Sequence, residues 1–388
     1  MLIMQTNRLR IVERRREHPI GLAKPEDFRY EIDGRISASK VATDPRFSLY
    51  CFDLANDAAM FVEVDDPELL DGAAFLYQSQ YEHASGLVSM PLAYFHKVAE
   101  TIPRPPKGYL FLHSVGRCGS TLLSKVLGGV PRIRSMSEPD DATFLAQRFV
   151  AGESAKTIQS LLNSSTAWSA KPASKPFERV AIKYRAETMV LAEWFGELFP
   201  DDLHVFQYRD GVSWMRTIFR SWPADLDVYD PERNRQVQAG WSRSIPLVSQ
   251  YASEETPLNP VQTRILAWCE CMERYLTLSE GGVRTVALRY EDLASQGESL
   301  LRAFFDEAGI KDVDWEAVRR ALGEDSQAGT VYDREKRRAH QNPLTPELER
   351  DTVEMIAKRH RLRTPDVVVP HTLKPIQNQG RAEERPFI

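Results

Sequence analysis

The stretch Tyr109 to Leu127, YLFLHSVGRCGSTLLSKVL, constrains this chain more than any other. Tyr109–Leu112 is a continuous apolar run, the pattern of a strand buried on both faces of a parallel sheet. Gly116 and Gly119 break the run, and from Thr121 the apolar residues Leu122, Leu123, Val126 and Leu127 recur at helical spacing. A strand, a glycine-containing loop and a helix start make an anion cradle, because loop amides and the positive end of the helix face one point. Ser120 and Thr121 add hydroxyl donors, and Arg117 adds a fixed charge with a planar fork of donors. The loop departs from the nucleotide-hydrolysing pattern G-x-x-x-x-G-K-[ST]. Ser120 follows Gly119 directly, so the lysine is missing and the charge stands before the glycine. That suggests chemistry without a metal. A cysteine-phosphatase reading fails as well, because Ser124 rather than arginine stands six residues after Cys118.

Further strands are expected at Arg132–Met136, Val180–Tyr184, His204–Tyr208 and Arg284–Leu288. Helices are expected near 187–199, from Val212 through Met215, Phe219 and Trp222, and near 261–279 and 298–308. Residues 223–260, rich in Asp, Pro and Asn, read as loop. This alternation calls for a parallel sheet covered on both faces. The motif R-x-G-[ST]-T-L-[LM] after a strand resembles the 5′-phosphosulfate loop of sulfotransferases that use PAPS (3′-phosphoadenosine 5′-phosphosulfate). The resemblance covers about residues 107–361 and is closest in spacing to the tyrosylprotein and bacterial branch. It implies an α/β fold of the P-loop NTPase-like sulfotransferase type, with a parallel sheet of about five strands flanked by helices. It also implies that Arg117, Cys118, Gly119, Ser120, Thr121 and Leu122 bind the cofactor.

PAPS carries two separated anionic groups, so a second anion site is needed. In YRDGVSWMRT, Arg209 leaves a strand end and Thr217 follows eight residues on. This resembles the family's 3′-phosphate motif, with Asp-Gly in place of the usual Asp-Pro and with Ser213 as a rival hydroxyl. Glu138 lies 21 residues after Arg117. It matches the position of the proposed base in the tyrosylprotein branch; the plainer reading is a carboxylate that pairs with an arginine or caps a helix. Lys183 matches a lysine of that branch thought to help at the leaving group, and Ser326 resembles a serine near it. The histidine used by the cytosolic small-molecule branch is disfavoured, since none stands between His113 and His204. One of Arg334, Lys336, Arg337 and Arg338 would reach the 3′-phosphate, with a solvated charge run as the equal alternative. Arg289–Leu293 (RYEDL) is similar to a recurrent segment of bacterial and Golgi-type sulfotransferases and reads as structural.

The net charge of −5 over 388 residues gives no reason to expect nucleic acid or an anionic membrane as partner. The four cysteines make neither a metal pattern nor a secreted disulfide framework, and Cys269 falls on a helical apolar stripe as a core residue. No signal peptide or membrane-spanning run is visible, so a reduced, cytoplasmic setting is expected. Residues 1–104 read as a mixed α/β accessory region, 105–361 as the sulfotransferase domain and 362–388 as an extended tail. Within the first, Phe47–Leu54 and Met60–Val64 read as strands, Ala73–Gln80 and Leu92–Val98 as helices, and Arg14, Arg15 and Arg16 as a solvated charge run. The region is either an accessory domain or a cover over the acceptor site. Asp225, Asp227, Asp230 and Glu232 hint at a neutral or cationic acceptor. The expected function is metal-independent transfer of a sulfonyl group from PAPS to an acceptor hydroxyl, releasing PAP, with Glu138 as base. The alternatives are a P-loop kinase or nucleotide hydrolase, and a non-catalytic PAP- or nucleotide-binding protein. The acceptor and the oligomeric state stay open.

Overall fold

The computed structural model describes residues 4–220, 228, 230–251, 255–324 and 343–376. Two five-stranded sheets organise them. The first is antiparallel and contains β1 (Gln5–Arg14), β2 (Phe28–Ser37), β3 (Phe47–Asp53), β4 (Ala58–Val64) and β5 (Ala84–Pro91), in the order β2-β1-β5-β4-β3. Every residue of β4 is buried, while most of β2 is exposed. The contrast follows from position: β4 lies between two strands, whereas β2 is an edge. The alternating charges Arg29, Glu31, Asp33 and Arg35 blunt that edge against pairing with another chain.

The second sheet is parallel, in the order β10-β9-β6-β8-β7. Its strands are β6 (Tyr109–Ser114), β7 (Ile133–Ser137), β8 (Arg179–Lys183), β9 (Leu203–Tyr208) and β10 (Thr285–Arg289). β6 is central and wholly buried, and β9 is buried along its whole length. The five-stranded parallel sheet with its flanking helices is the α/β class that the alternating pattern predicts. β7 runs beside β8 from Ile133↔Arg179 to Ser137↔Lys183, so Glu138 and Lys183 leave the same end of the sheet together.

The chain forms two compact units: Met1–Leu110 with Leu127–Tyr184, and Phe111–Val126 with Arg185–Ile388. In the first, Leu9, Phe28, Tyr50, Met60, Val62, Leu76 and Leu87 pack in one core. The second is built around the 21-residue helix Pro260–Glu280, opened by a capping box between Asn259 and Gln262. Phe206, Trp214, Trp268, Tyr275 and Ile356 pack against one another there, with the Phe206 and Tyr275 rings stacked 4.4 Å apart. The described part of the C-terminal segment covers the outer edge of β10: Leu373 N donates to Ala287 O and Ala287 N to His371 O, both at 2.9 Å. None of the described helices is long and apolar enough to cross a membrane.

Several sequence expectations are corrected. Residues 223–260 are not all loop; Pro231–Trp241 and Pro246–Ser249 are helical. The first of these buries Asn234 and Gln238 rather than an apolar stripe, so the periodicity that marks a helix is missing. Its start is set by Asp230, whose carboxylate accepts from Glu232 N and Arg233 N. Trp222, Asp225 and Asp227 lie outside the described residues. The helices Asp140–Val150 and Ala155–Ser169 and the strands β1, β2 and β5 were not legible in the pattern. The segment from Glu187 begins as a 3-10 helix, Ala186–Leu191, before the α-helix Ala192–Leu198. Arg16 is no part of a solvated run. Its side chain is 4% exposed, lies 4.0 Å from Asp27 and 3.9 Å from Asp140, and faces the Tyr77 ring at 5.1 Å. Two carboxylates and an aromatic face offset its desolvation, and these partners come from distant segments.

Candidate functional site

The loop after β6 is fixed from the second unit's own core. Val115 N donates to Gln207 O at 3.1 Å, and Cys118 Sγ donates to the same carbonyl at 3.2 Å. The Trp214 indole N–H reaches Val115 O at 3.1 Å and Gly116 O at 2.9 Å. These contacts occupy the Val115 and Gly116 carbonyls and the Val115 amide, and Gly116 N donates to Ser114 Oγ at 3.2 Å. Cys118 is fully buried, so only its main chain can serve a ligand. Gly116, Arg117 and Gly119 all have positive φ, at 73°, 55° and 84°. The φ of Gly119 favours glycine, and a Cβ there would stand 2.9 Å from Leu293 Cδ2, so that side chain would have to shift. The helix Ser120–Gly128 starts directly after it, and Leu123 N closes the first turn onto Gly119 O at 3.1 Å. First-turn amides have no intrahelical acceptor, which makes this an anion-binding geometry.

Arg209 leaves the end of β9 in the same unit. Its Nε donates to Ser213 Oγ at 2.7 Å, and its guanidinium carbon lies 4.2 Å from the centre of the Tyr290 ring. Glu291 Oε1 accepts from Asp210 N and from Ser213 Oγ, each at 3.2 Å, and Arg289 pairs with Glu291 Oε2 at 3.3 Å. Asp210 caps the helix Gly211–Phe219 by accepting from Ser213 N at 2.7 Å. Thr217 Oγ1 donates to Ser213 O at 3.0 Å. Of the two hydroxyls considered for Arg209, Ser213 is therefore the one that touches it.

Glu138 and Lys183 belong to the first unit and form an ion pair there. The Lys183 side chain is 3% exposed and that of Glu138 15%. Glu138 has φ 56°, a left-handed conformation unusual for a residue with a Cβ, and its amide donates to Lys183 O at 2.6 Å. The Lys183 ammonium also lies 5.6 Å from the centre of the Phe75 ring, and Ser137 Oγ donates to Ala74 O at 2.7 Å. Residues 74 and 75 of the N-terminal region thus sit beside this pair. Ser326, Arg334, Lys336, Arg337 and Arg338 lie outside the described residues.

Three side chains at these places escaped the sequence reading. Trp214 was missed because the expected stripe was too narrow: Met215 and Phe219 are buried as expected, but Gly211, Trp214 and Ile218 are buried beside them, and Val212 is only partly so. Tyr290 stood in a segment read as structural, and Phe75 in one with no chemical motif. An Arg–Tyr contact between strand ends leaves no local signal.

No protein-family model matches the chain, and no curated protein matches it. Among solved structures, the chain matches the sulfotransferase domain from the Synechococcus PCC 7002 olefin synthase at 17% identity, over 65% of this chain and 94% of that one, with a TM-score of 0.34. It also matches sulfotransferase STF9 from Mycobacterium avium at 14% identity, over 69% of this chain and 81% of that one, with a TM-score of 0.34.

Proposed function

We propose that this chain is a PAPS-dependent sulfotransferase that moves a sulfonyl group to an acceptor hydroxyl and releases PAP. One observation carries the reading. Arg117 and Glu138, singled out by motif spacing as the anion-loop arginine and the base, are both held at left-handed φ, 55° and 56°. Such backbone outliers persist where the surrounding structure over-determines them, and they concentrate at functional sites.

The residues fit a ligand with two anionic ends. The loop Arg117–Leu122 and the helix start after it would hold the phosphosulfate end. Arg209, with Thr217 or Ser213 as hydroxyl partner, would hold the 3′-phosphate. Ser326 is kept as a proposed contact near the leaving group. Bound PAPS supplies an activated sulfonate on a phosphate leaving group. The remaining work falls to side chains. The Glu138 carboxylate accepts the proton of the acceptor hydroxyl, which requires hydrogen-bond reach. Lys183 and Arg117 supply fixed positive charge where negative charge develops. None of these roles calls for a metal. The proposed setting is the reducing cytoplasm, where thiols stay unpaired.

The test is calorimetric titration with PAP, with and without Mg²⁺, on the wild type and on Arg209→Ala. Metal-independent binding that weakens at least about tenfold in the variant is the expected result, since a charge-assisted contact contributes on that order. Acceptor screening with PAPS follows from it. Binding of ATP with Mg²⁺ in place of PAP would return the protein to the kinase or hydrolase class.

A further inference from the structure

The first unit contains a cavity with about 440 Å³ of empty space, partly open to solvent. Its walls come from the start of β3, from β7 and β8, and from the end of the helix Ala155–Ser169. Two cations line it, Lys171 and Arg134. Lys171 is 2% exposed, and its ammonium donates to Asp44 O at 2.7 Å. Arg134 spends Nη1 on two carbonyls, Ser169 O at 2.8 Å and Lys171 O at 3.0 Å, and its buried Nε has no hydrogen-bond partner. Among the described residues neither cation is in an ion pair. The carboxylates that act on them, Asp44 and Asp71, are engaged elsewhere. Asp44 pairs with Lys40 at 3.1 Å and with Arg46 at 2.8 Å, and Asp71 accepts from Ser174 Oγ. Asp141, also on the wall, is pushed up toward its neutral form by burial. Positive charge is thus buried here with donors to spare and no counter-ion, which is costly. Burial, with the neighbouring Arg134 charge adding to it, pushes the Lys171 ammonium down to about 7.

We propose that this cavity binds a small organic monocarboxylate, its oxygens between the Lys171 ammonium and the Arg134 Nε–H and its apolar body against Phe47, Leu49, Met136 and Ile182. The ligand supplies the missing counter-ion. A carboxylate suits the donor set better than phosphate or sulfate does. The hydroxyls of Ser165 and Ser169 are already spent on Leu162 O at 3.2 Å and Thr166 O at 2.6 Å. The two cations therefore supply most of the free donors, enough for an anion with two oxygens. A four-oxygen anion would press unsatisfied oxygens against the apolar wall. That same wall favours a ligand with a short hydrocarbon part. Neither Glu138 nor Lys183 lines the cavity, so this site is apart from their ion pair and needs no PAPS.

The experiment is calorimetric titration of the full chain, wild type and Lys171→Met, with butyrate, its neutral analogue butyramide, and inorganic phosphate. It is run near neutral pH in two buffers of different ionisation heat, so that protons taken up on binding are counted. The wild type is expected to bind butyrate, to ignore butyramide and to bind phosphate more weakly. It takes up protons with butyrate, because an anion beside Lys171 favours the charged ammonium. Lys171→Met is expected to lose at least about tenfold in butyrate affinity, the size of one charge-assisted contact, and to lose the proton uptake. Absent butyrate binding, equal binding of butyramide, tighter binding of phosphate, or unchanged butyrate affinity in Lys171→Met overturns the proposal and leaves the cavity a hydrated gap. If Lys171→Met does not fold, the wild-type buffer series decides, and butyrate binding without proton uptake counts against the site.

Discussion

The Lys183 side chain is 3% exposed and that of its partner Glu138 15%, so this pair bears on stability as well as on the proposed chemistry. Breaking a buried ion pair by removing one partner costs about 3–5 kcal/mol, because the other charge stays in a poorly solvating place. Glu138→Gln is therefore expected to lower the urea midpoint and also to reduce turnover by roughly 10²–10⁴, the usual contribution of a positioned base. The double variant Glu138→Gln/Lys183→Met separates the two effects. It removes both charges, so the midpoint recovers most of the loss, while turnover does not return. Recovery of turnover would reduce Glu138 to a structural partner of Lys183. Ser213 offers a second choice between roles. Its hydroxyl joins Arg209 to Glu291, whereas that of Thr217 serves the helix backbone. Ser213→Ala is expected to weaken PAP binding about fivefold, in line with one lost hydrogen bond to a charged group, and Thr217→Val to change it less. The reverse order in calorimetry would restore Thr217 as the partner of the 3′-phosphate.

The loop after β6 depends on the helix Gly211–Phe219 for its shape. The Trp214 indole is the donor that reaches both Val115 O and Gly116 O. Trp214→Phe keeps the apolar bulk and strips that donor, leaving carbonyls beside an apolar ring. An unsatisfied buried polar group costs about 1–3 kcal/mol, so the melting temperature falls. PAP affinity is expected to fall with it, because the Val115 and Gly116 carbonyls lose the donor that holds this part of the loop. A lower melting temperature with unchanged PAP binding would mean that the loop holds its form without Trp214. The strand–loop–helix was legible in the sequence because each part has a local signature: an apolar run, glycines at turning points, and helical spacing after them. The tryptophan's part in it was not, because indole and carbonyl meet only when the segment after β9 folds back under the loop after β6.

For the molecule as a whole, the buried pair His113 and His204 makes stability depend on pH. Their rings stack with 5.6 Å between centres, and His113 Nε2 lies 3.3 Å from His204 Nδ1. Burial pushes His204 down to about 4, and burial together with the neighbouring His204 pushes His113 well below its ordinary value. The unfolded chain takes up protons near pH 6.5 while the folded chain refuses them, so the unfolded state binds more protons between about 6.5 and 4, and stability drops as pH falls through that window. Each such histidine contributes a slope of about 1.4 kcal/mol per pH unit there. Urea midpoints at pH 7, 6 and 5 should fall in that order, and His204→Leu should flatten the trend; an unchanged slope in the variant would clear the pair of responsibility. The sequence alone determined the parallel strands, the glycine loop after β6 and the emergence of Glu138 and Lys183 from strand ends, since these rest on patterns within a few residues of each other. Only the tertiary structure decided that Arg16 is buried between Asp27 and Asp140, that Phe75 faces Lys183, and that Arg209 lies on Tyr290. Each of those contacts joins residues far apart in the chain. Burial and charge pairing at such a distance are properties of the packed fold, and no local run of residues carries them.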